Sequence, residues 1–494
     1  MALFDHMSPT SIILLIAGYF LVLILIARIT GKKADNDGFF VGNRDSPWYV
    51  VAFGMIGASL SGVTFISVPG WVGDSQFSYM QMVLGYVPGY FVIAFVLLPL
   101  YYRLQLTSIY TYLRDRFGRY SYKTGASYFL LSRIIGAAFR LYLVAMVLQL
   151  AVFDRIGMEV PFAVTVFITV FLIWLYTFKG GIKTIIWTDT LQTAFMLLAV
   201  GISVYSISSS LGLDAAGLVE KVRDSEYSRI FFFDDINDSR HFVKRFLAGM
   251  FITITMTGLD QDMMQKNLSC RNLRDAQKNM ISFSIVLVAV NLVFLTLGAL
   301  LFIYSQENGL SIPEQTDQLY PLLAVEGYLG PAVGILFVLG LIAAAYSSAD
   351  SALTALTTSY SLDILEVDKL DEKSAKRKRQ RVHIVMSLVL IAVILIFRVI
   401  NNDSVIAQLF TAAGYTYGPL LGLYAFGLFT KLPVRDREVP YIAVASPILS
   451  FILDYNSAEL FNGYEIGFEI LLINGAITYF GLWLSSLRAR KRGV

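Results

Sequence analysis

The chain has 494 residues, of which 56% are hydrophobic and 15% charged, with a formal net charge of +3. A water-facing globule of this length does not carry so much apolar surface, whereas a chain sheathed in lipid does, and charge this sparse and confined to loops offers no concentrated basic face for nucleic acid. A single cysteine, Cys270, excludes an internal disulfide and a zinc cluster, and the three histidines, His6, His241 and His383, fall in loops or at segment ends, where they read as solvated polar groups.

Thirteen apolar segments follow one another at roughly 9–27, 48–72, 79–102, 125–152, 160–178, 184–208, 245–264, 280–305, 331–362, 382–400, 405–430, 439–453 and 466–487. Most reach about 20 residues, enough at about 1.5 Å rise per residue for a helix to cross a hydrocarbon core of about 30 Å. The first is long enough to span and is followed at once by Arg28, Lys32 and Lys33, unlike a cleavable signal.

Bases fall in every second gap: Arg28, Lys32, Lys33 and Arg44, then Arg103, Arg114, Arg116, Arg119 and Lys123, with none in 73–78 between them. Lys179 and Lys183, then Lys266, Arg271, Arg274 and Lys278, then Lys376 to Arg379, then Lys431, Arg435 and Arg437, and finally Arg488 to Arg492 continue the alternation. The positive-inside rule then puts the N-terminus outside and the C-terminus in the cytoplasm. The outer loop 209–244 mixes bases with acids and says least; the charged linker 366–381 reads as a solvated cytoplasmic loop.

Two segments are interrupted. Segment 48–72 contains Gly54, Gly57, Gly62 and Pro69–Gly70; 245–264 contains Gly249, then Thr253, Thr255 and Thr257, Gly258 and Asp260–Gln261. They open two successive groups of five segments, 48–208 and 245–430, the spacing of an inverted-repeat transporter whose site lies where helices unwind. Glycines that merely allow close helix packing are the alternative. In the ninth segment, Ala344, Ser347, Ser348 and Ser351 are spaced i, i+3, i+4, i+7 and share a helical face. That face is either a small-residue packing seam or, with carbonyls freed by a broken partner, a set of oxygens for sodium. Asp189 and Asp350 are acids within apolar segments, costly enough to imply a role, the alternative for Asp189 being a structural partner such as Lys183.

The strings at 58–65 (ASLSGVTF), 102–113 (YRLQLTSIYTYL), 180–189 (GGIKTIIWTD), 258–265 (GLDQDMMQ) and 344–351 (AAYSSADS) resemble the sodium/solute symporter family, in the same order, from about residue 10 to 430. The stretches RLQLTS and WTD are similar to its monocarboxylate, multivitamin and iodide branch. This resemblance implies an all-α polytopic membrane protein with the LeuT-type 5+5 inverted repeat. The 494 residues would form a single transmembrane domain of about 13 helices, one before the ten-helix core and two (439–487) after it. It implies a sodium ion held by the carbonyls of Gly57, Leu60 and Ala344 and the hydroxyls of Ser347 and Ser348. A second sodium would fall to Asp189, Ser347 and Ser351, although Asp350 stands where the members with that site tend to have serine. It also implies a sodium-coupled importer of a small solute, in the inner membrane of a bacterium; a membrane-embedded enzyme or sensor is the weakest rival, because no His/Cys metal spacing, nucleophile motif or cytoplasmic domain of useful size appears in the sequence.

Arg133, Gly136 and Arg140, at i, i+3, i+7, place two guanidinium groups beside a position that faces the substrate cavity in relatives, which points to an anionic solute. Alternatively a buried arginine is tied to a carboxylate, here Asp260 or Asp189. Thr64, Thr257, Asp260, Gln261, Phe410 and Tyr415 complete the cavity candidates. Sugar-transporting relatives carry glutamine where this chain has Thr64 and an aromatic gate at Met256–Thr257, which argues against a glucose-like solute. Proton coupling at Asp189 or Asp350, a sugar or polyol symporter and a channel are the rivals. The sequence does not set the oligomeric state.

Overall fold

Backbone amides that cannot reach water must be paired within their own segment, and the chain meets this demand with helices throughout. The computed structural model describes residues 9–31, 35–149, 153, 159–400, 405–461, 463–464 and 466–491. The main helices are α1 (Pro9–Thr30), α2 (Trp48–Ser59), α3 (Gly62–Ser75), α4 (79–103, with one π turn), α5 (Arg119–Leu148), α6 (Phe162–Gly180) and α7 (Ile182–Ser210). They continue with α8 (Phe242–Gly258), α9 (Gln261–Leu268), α10 (Leu273–Glu307), α11 (Pro331–Ile364), α12 (Glu372–Ile400), α13 (Val405–Phe429), α14 (Val439–Tyr455) and α15 (Ile470–Lys491).

Within each of the thirteen apolar segments the described residues contain a helix or a broken pair. Among the described residues seven helices are by themselves long and apolar enough to cross a membrane, eight with the bent pair α8–α9. The fold is therefore all-helical and multi-pass, while thirteen crossings are more than length and composition establish. The linker 366–381 is not simply a solvated loop: α12 begins at Glu372, and Arg379 within it is 1% exposed. His383 is likewise no surface group; its ring is buried between Thr177 and Thr357, with hydroxyls 3.1 and 2.8 Å from its two nitrogens. His241 is buried as well, and His6 lies outside the described residues.

Both expected breaks are present. The first falls at Leu60 (φ −85°, ψ 79°) and Ser61 (ψ 171°), between α2 and α3. Gly54 and Gly57 do not make it. They seat α2 on α7: a Cβ at Gly57 would stand 2.3 Å from Thr193 Oγ1, and one at Gly54 3.0 Å from Asp189 Cβ. The packing role of glycine and the break thus coexist in one segment, at different residues. The second break bends the chain by 65° between α8 and α9. Its freed carbonyls are taken up by tyrosines, Tyr101 donating to Gly258 O (2.9 Å) and Tyr110 to Leu259 O (3.0 Å), while Asp260 caps α9 by accepting the Asp262 N–H at 2.9 Å. Against these breaks runs α11, buried without interruption from Phe337 to Ser359 and packed on α2, α3, α5, α7, α9 and α12.

Candidate functional site

The first break lies against the serine face of α11. Ser348 Oγ donates to Ala58 O at 3.3 Å, and a Cβ on Gly62 would touch Ala345 Cβ at 3.3 Å. Among the described residues no side chain and no loop N–H donates to the carbonyl of Gly57 or Leu60. The Gly57 N–H is anchored on Thr193 Oγ1 (3.0 Å), which fixes the last turn of α2 to α7. Gly57, Leu60, Ala344, Ser347 and Ser348 therefore belong to abutting elements, with carbonyl and hydroxyl oxygens and no carboxylate of their own.

Ser347 is also shared with α7. Its hydroxyl donates to Asp189 Oδ1 at 2.6 Å, so its proton is directed away and its lone pairs stay free for another partner. The other oxygen of Asp189 accepts from Lys266 Nζ at 2.6 Å; the two side chains are 0% and 1% exposed. Lys266 comes from α9, beyond the second break, so one buried ion pair ties α7 to α9 and, through Ser347, to α11. Lys183 is not the partner. Asp350 turns toward α6, accepting from Tyr176 OH at 2.8 Å and from the Ser351 N–H, and no base lies within ion-pair distance of it among the described residues. The Ser351 hydroxyl is buried and has no hydrogen-bond partner among the described residues.

Beside the first break a cavity is lined by Ser59, Ser61, Thr64, Thr257, Arg133 and Arg140, together with Tyr79, Tyr86 and Tyr90. Gly136 lines a smaller adjoining pocket between the two arginines and Met256. The arginines differ in electrostatics. Arg133 is paired with Asp262 and stands 3.8 Å from Asp260. Arg140, 9% exposed, has no carboxylate within ion-pair distance among the described residues, and its Nε has no hydrogen-bond partner. Carboxylates thus claim Arg133, Asp260 among them as the alternative reading allowed, while Arg140 has none within ion-pair distance among the described residues.

Three further cavity candidates have other occupations. Asp260 caps α9, accepts from Tyr417 OH and attracts Arg133. Gln261 is buried on the loop after α4, its Nε2 donating to Thr107 O (2.8 Å) and its Oε1 accepting from Ile109 N (3.0 Å). Tyr415 donates to Asp454 Oδ2 at 2.6 Å, which ties α13 to α14. The Phe410 side chain lies outside what is described. Sequence reading missed Asn291, a cavity residue of α10 whose Oδ1 has no hydrogen-bond partner among the described residues; a lone amide in a hydrocarbon span was the available signal. It also missed Lys266, which looks in sequence like a loop charge, and Asp262, which falls near the end of segment 245–264.

The sodium:solute symporter family pattern matches residues 39–433. A sodium/sialic acid symporter of Aliivibrio fischeri is 25% identical over 458 residues, covering 90% of this chain and 88% of that protein. A sodium-coupled monocarboxylate transporter of mouse is 25% identical over 417 residues, covering 82% and 66%. In three dimensions the chain is similar to an outward-open, substrate-bound Na+-coupled sialic acid symporter, with a TM-score of 0.81 at 20% identity over 97% of this chain and 98% of that one.

Proposed function

The chain belongs to the sodium:solute symporter family, and we propose that the solute it carries with sodium is a small organic acid whose carboxylate is held by Arg140. The observation that carries this reading is the guanidinium of Arg140, 9% exposed in a cavity beside the first break and without a carboxylate in ion-pair distance among the described residues. An arginine cannot shed its charge, and leaving it buried without a counter-charge is costly, so a carboxylate entering the cavity supplies what the fold withholds. Sialic acid and the monocarboxylates named for the two relatives are both carboxylates. Thr64 and Thr257 would bind the rest of the solute, and Gly136 would leave room between the arginines.

Sodium would sit between the carbonyls of Gly57, Leu60 and Ala344 and the hydroxyls of Ser347 and Ser348. The two unclaimed carbonyls and the orientation of Ser347 by Asp189 support that site. Bound there, the ion would pin α2–α3 to α11 and hold the adjoining cavity in shape; its release to the cytoplasm would loosen that contact and let the solute follow. Two sets of five helices opening on the broken pairs, within one domain of thirteen crossings, and an outside N-terminus in a bacterial inner membrane complete the proposal. It is supported by the two observed breaks and the alternation of bases.

In this reading the Lys266 ammonium is the permanent counter-charge of Asp189, and one sodium moves per cycle. A second reading with two cations has one observation in its favour, the buried Asp350 next to the Ser351 hydroxyl, the one without a base and the other without a hydrogen-bond partner among the described residues. The charge balance separates them. One sodium with a monoanion is electroneutral, whereas a second cation would let a membrane potential of about 100 mV add about 2.3 kcal/mol to the driving force. The test is uptake into liposomes of labelled carboxylic acids and of their neutral amides under an inward sodium gradient, with and without an imposed potential. Sodium-dependent, potential-insensitive uptake of acids alone is expected. Equal uptake of the amides would remove Arg140 from recognition, and uptake in sodium-free medium would remove sodium from the site.

A further inference from the structure

Between α1, α6 and α12 lies a groove of about 880 Å³ with two chemically distinct ends. One is apolar and outward-facing, with Leu21, Leu25 and Leu175 exposed by 58, 46 and 44%. The other is basic, lined by Arg28, Lys179, Lys376 and Arg379, and no ion pair to an acid is formed by any of the four among the described residues. Arg379 is 1% exposed; among the described residues its Nε and Nη1 have no hydrogen-bond partner, and its guanidinium lies 4.1 Å from the centroid of the Phe39 ring. Asp35, the acid acting on it, already caps the short helix Asn36–Val41 by accepting from Gly38 N. The indole Nε1 of Trp174, also in the groove, is buried and has no hydrogen-bond partner among the described residues.

Burying a guanidinium with vacant donors is costly unless something pairs with it. The occupant must carry negative charge at the basic end and hydrocarbon along the apolar one. We propose that this groove is a binding site for one anionic phospholipid, its phosphate between Arg379, Lys376, Lys179 and Arg28 and its acyl chains along α1 and α6. Basic pockets between membrane helices on the cytoplasmic side suit such headgroups. The bases come from α1, α6 and α12, so the lipid would bridge the helix before the core to the helices around it.

The test uses full-length protein in detergent, with native mass spectrometry to count retained phosphatidylglycerol or phosphatidylcholine, and quenching of Trp174 by brominated phosphatidylglycerol, with Trp174→Phe as background. One tightly retained phosphatidylglycerol is expected, preferred over phosphatidylcholine and not displaced by millimolar inorganic phosphate. The triple variant Arg28→Gln/Lys179→Gln/Lys376→Gln changes exposed side chains without touching the core. At about fivefold per base, it should weaken retention about a hundredfold. Equal retention of the two lipids, retention unchanged in the triple variant, or displacement by phosphate would each overturn the proposal. Quenching without a countable bound lipid would reduce it to bulk attraction of bases to the bilayer surface and overturn it too.

Discussion

Replacing Lys266 by methionine removes the ammonium from a pair whose side chains are 1% and 0% exposed and leaves the Asp189 carboxylate buried with only Ser347 as partner. Breaking a buried pair from one side costs about 3–5 kcal/mol, because an uncompensated charge stays behind, whereas replacing both charges with neutral groups of similar volume is close to neutral. Lys266→Met is therefore expected to be strongly destabilised, and Lys266→Met/Asp189→Asn to regain most of the loss, since an asparagine oxygen can still accept the Ser347 proton. Thermal unfolding of the detergent-purified proteins in choline buffer provides the ranking. Added sodium sharpens it: the single variant presents a bare carboxylate beside Ser347, so sodium should stabilise it more than wild type and turn a hyperbolic sodium dependence of uptake sigmoidal. A single variant as stable as wild type, or a double variant as damaged as the single, would refute the claim that Lys266 is the fixed counter-charge of Asp189.

The two arginines should respond differently. Arg140→Gln is expected to raise the KM for a carboxylate solute by about 10–100-fold through loss of a charge-assisted pair, with stability little changed; Arg133→Gln is expected to lower stability by about 3–5 kcal/mol by stranding Asp262, read from unfolding midpoints. Gly249→Ala would put a Cβ 2.1 Å from Met82 O and Gly85→Ala one 2.1 Å from Phe246 O, so each should part α4 from α8 and cost about 1–3 kcal/mol, seen as a lowered unfolding midpoint. Burial pushes the Cys270 thiol up to about 12, which keeps it protonated at neutral pH. Maleimide should leave native protein unlabelled at neutral pH and label it once unfolded.

Hydropathy and the alternation of bases made the helices and their order legible, because lipid imposes those patterns on one-dimensional sequence. The breaks were legible as glycine-rich interruptions, but their mechanics were not. Leu60 and Ser61 carry the first break, while Gly54 and Gly57 serve the contact with α7, a distinction that depends on where Thr193 and Asp189 lie in space. The serine face of α11 followed from helical spacing alone. The ion pairs did not: Lys266 pairs with a residue 77 positions away and Arg133 with one 129 positions away, and in sequence Lys266 and Asp262 border a charged loop. His383 and Arg379 were misjudged for the same reason, since a polar residue near a segment end looks solvated until a short helix such as Asn36–Val41 covers it.

The central claim, a sodium ion held between the first break and α11, is tested most directly by binding of radioactive sodium to purified protein. Wild type should be compared with Ser347→Ala, Ser348→Ala and Ser351→Ala. Loss of at least about tenfold in affinity at each of the first two positions, with Ser351→Ala unchanged, is the predicted result; wild-type affinity in both Ser347→Ala and Ser348→Ala would contradict it.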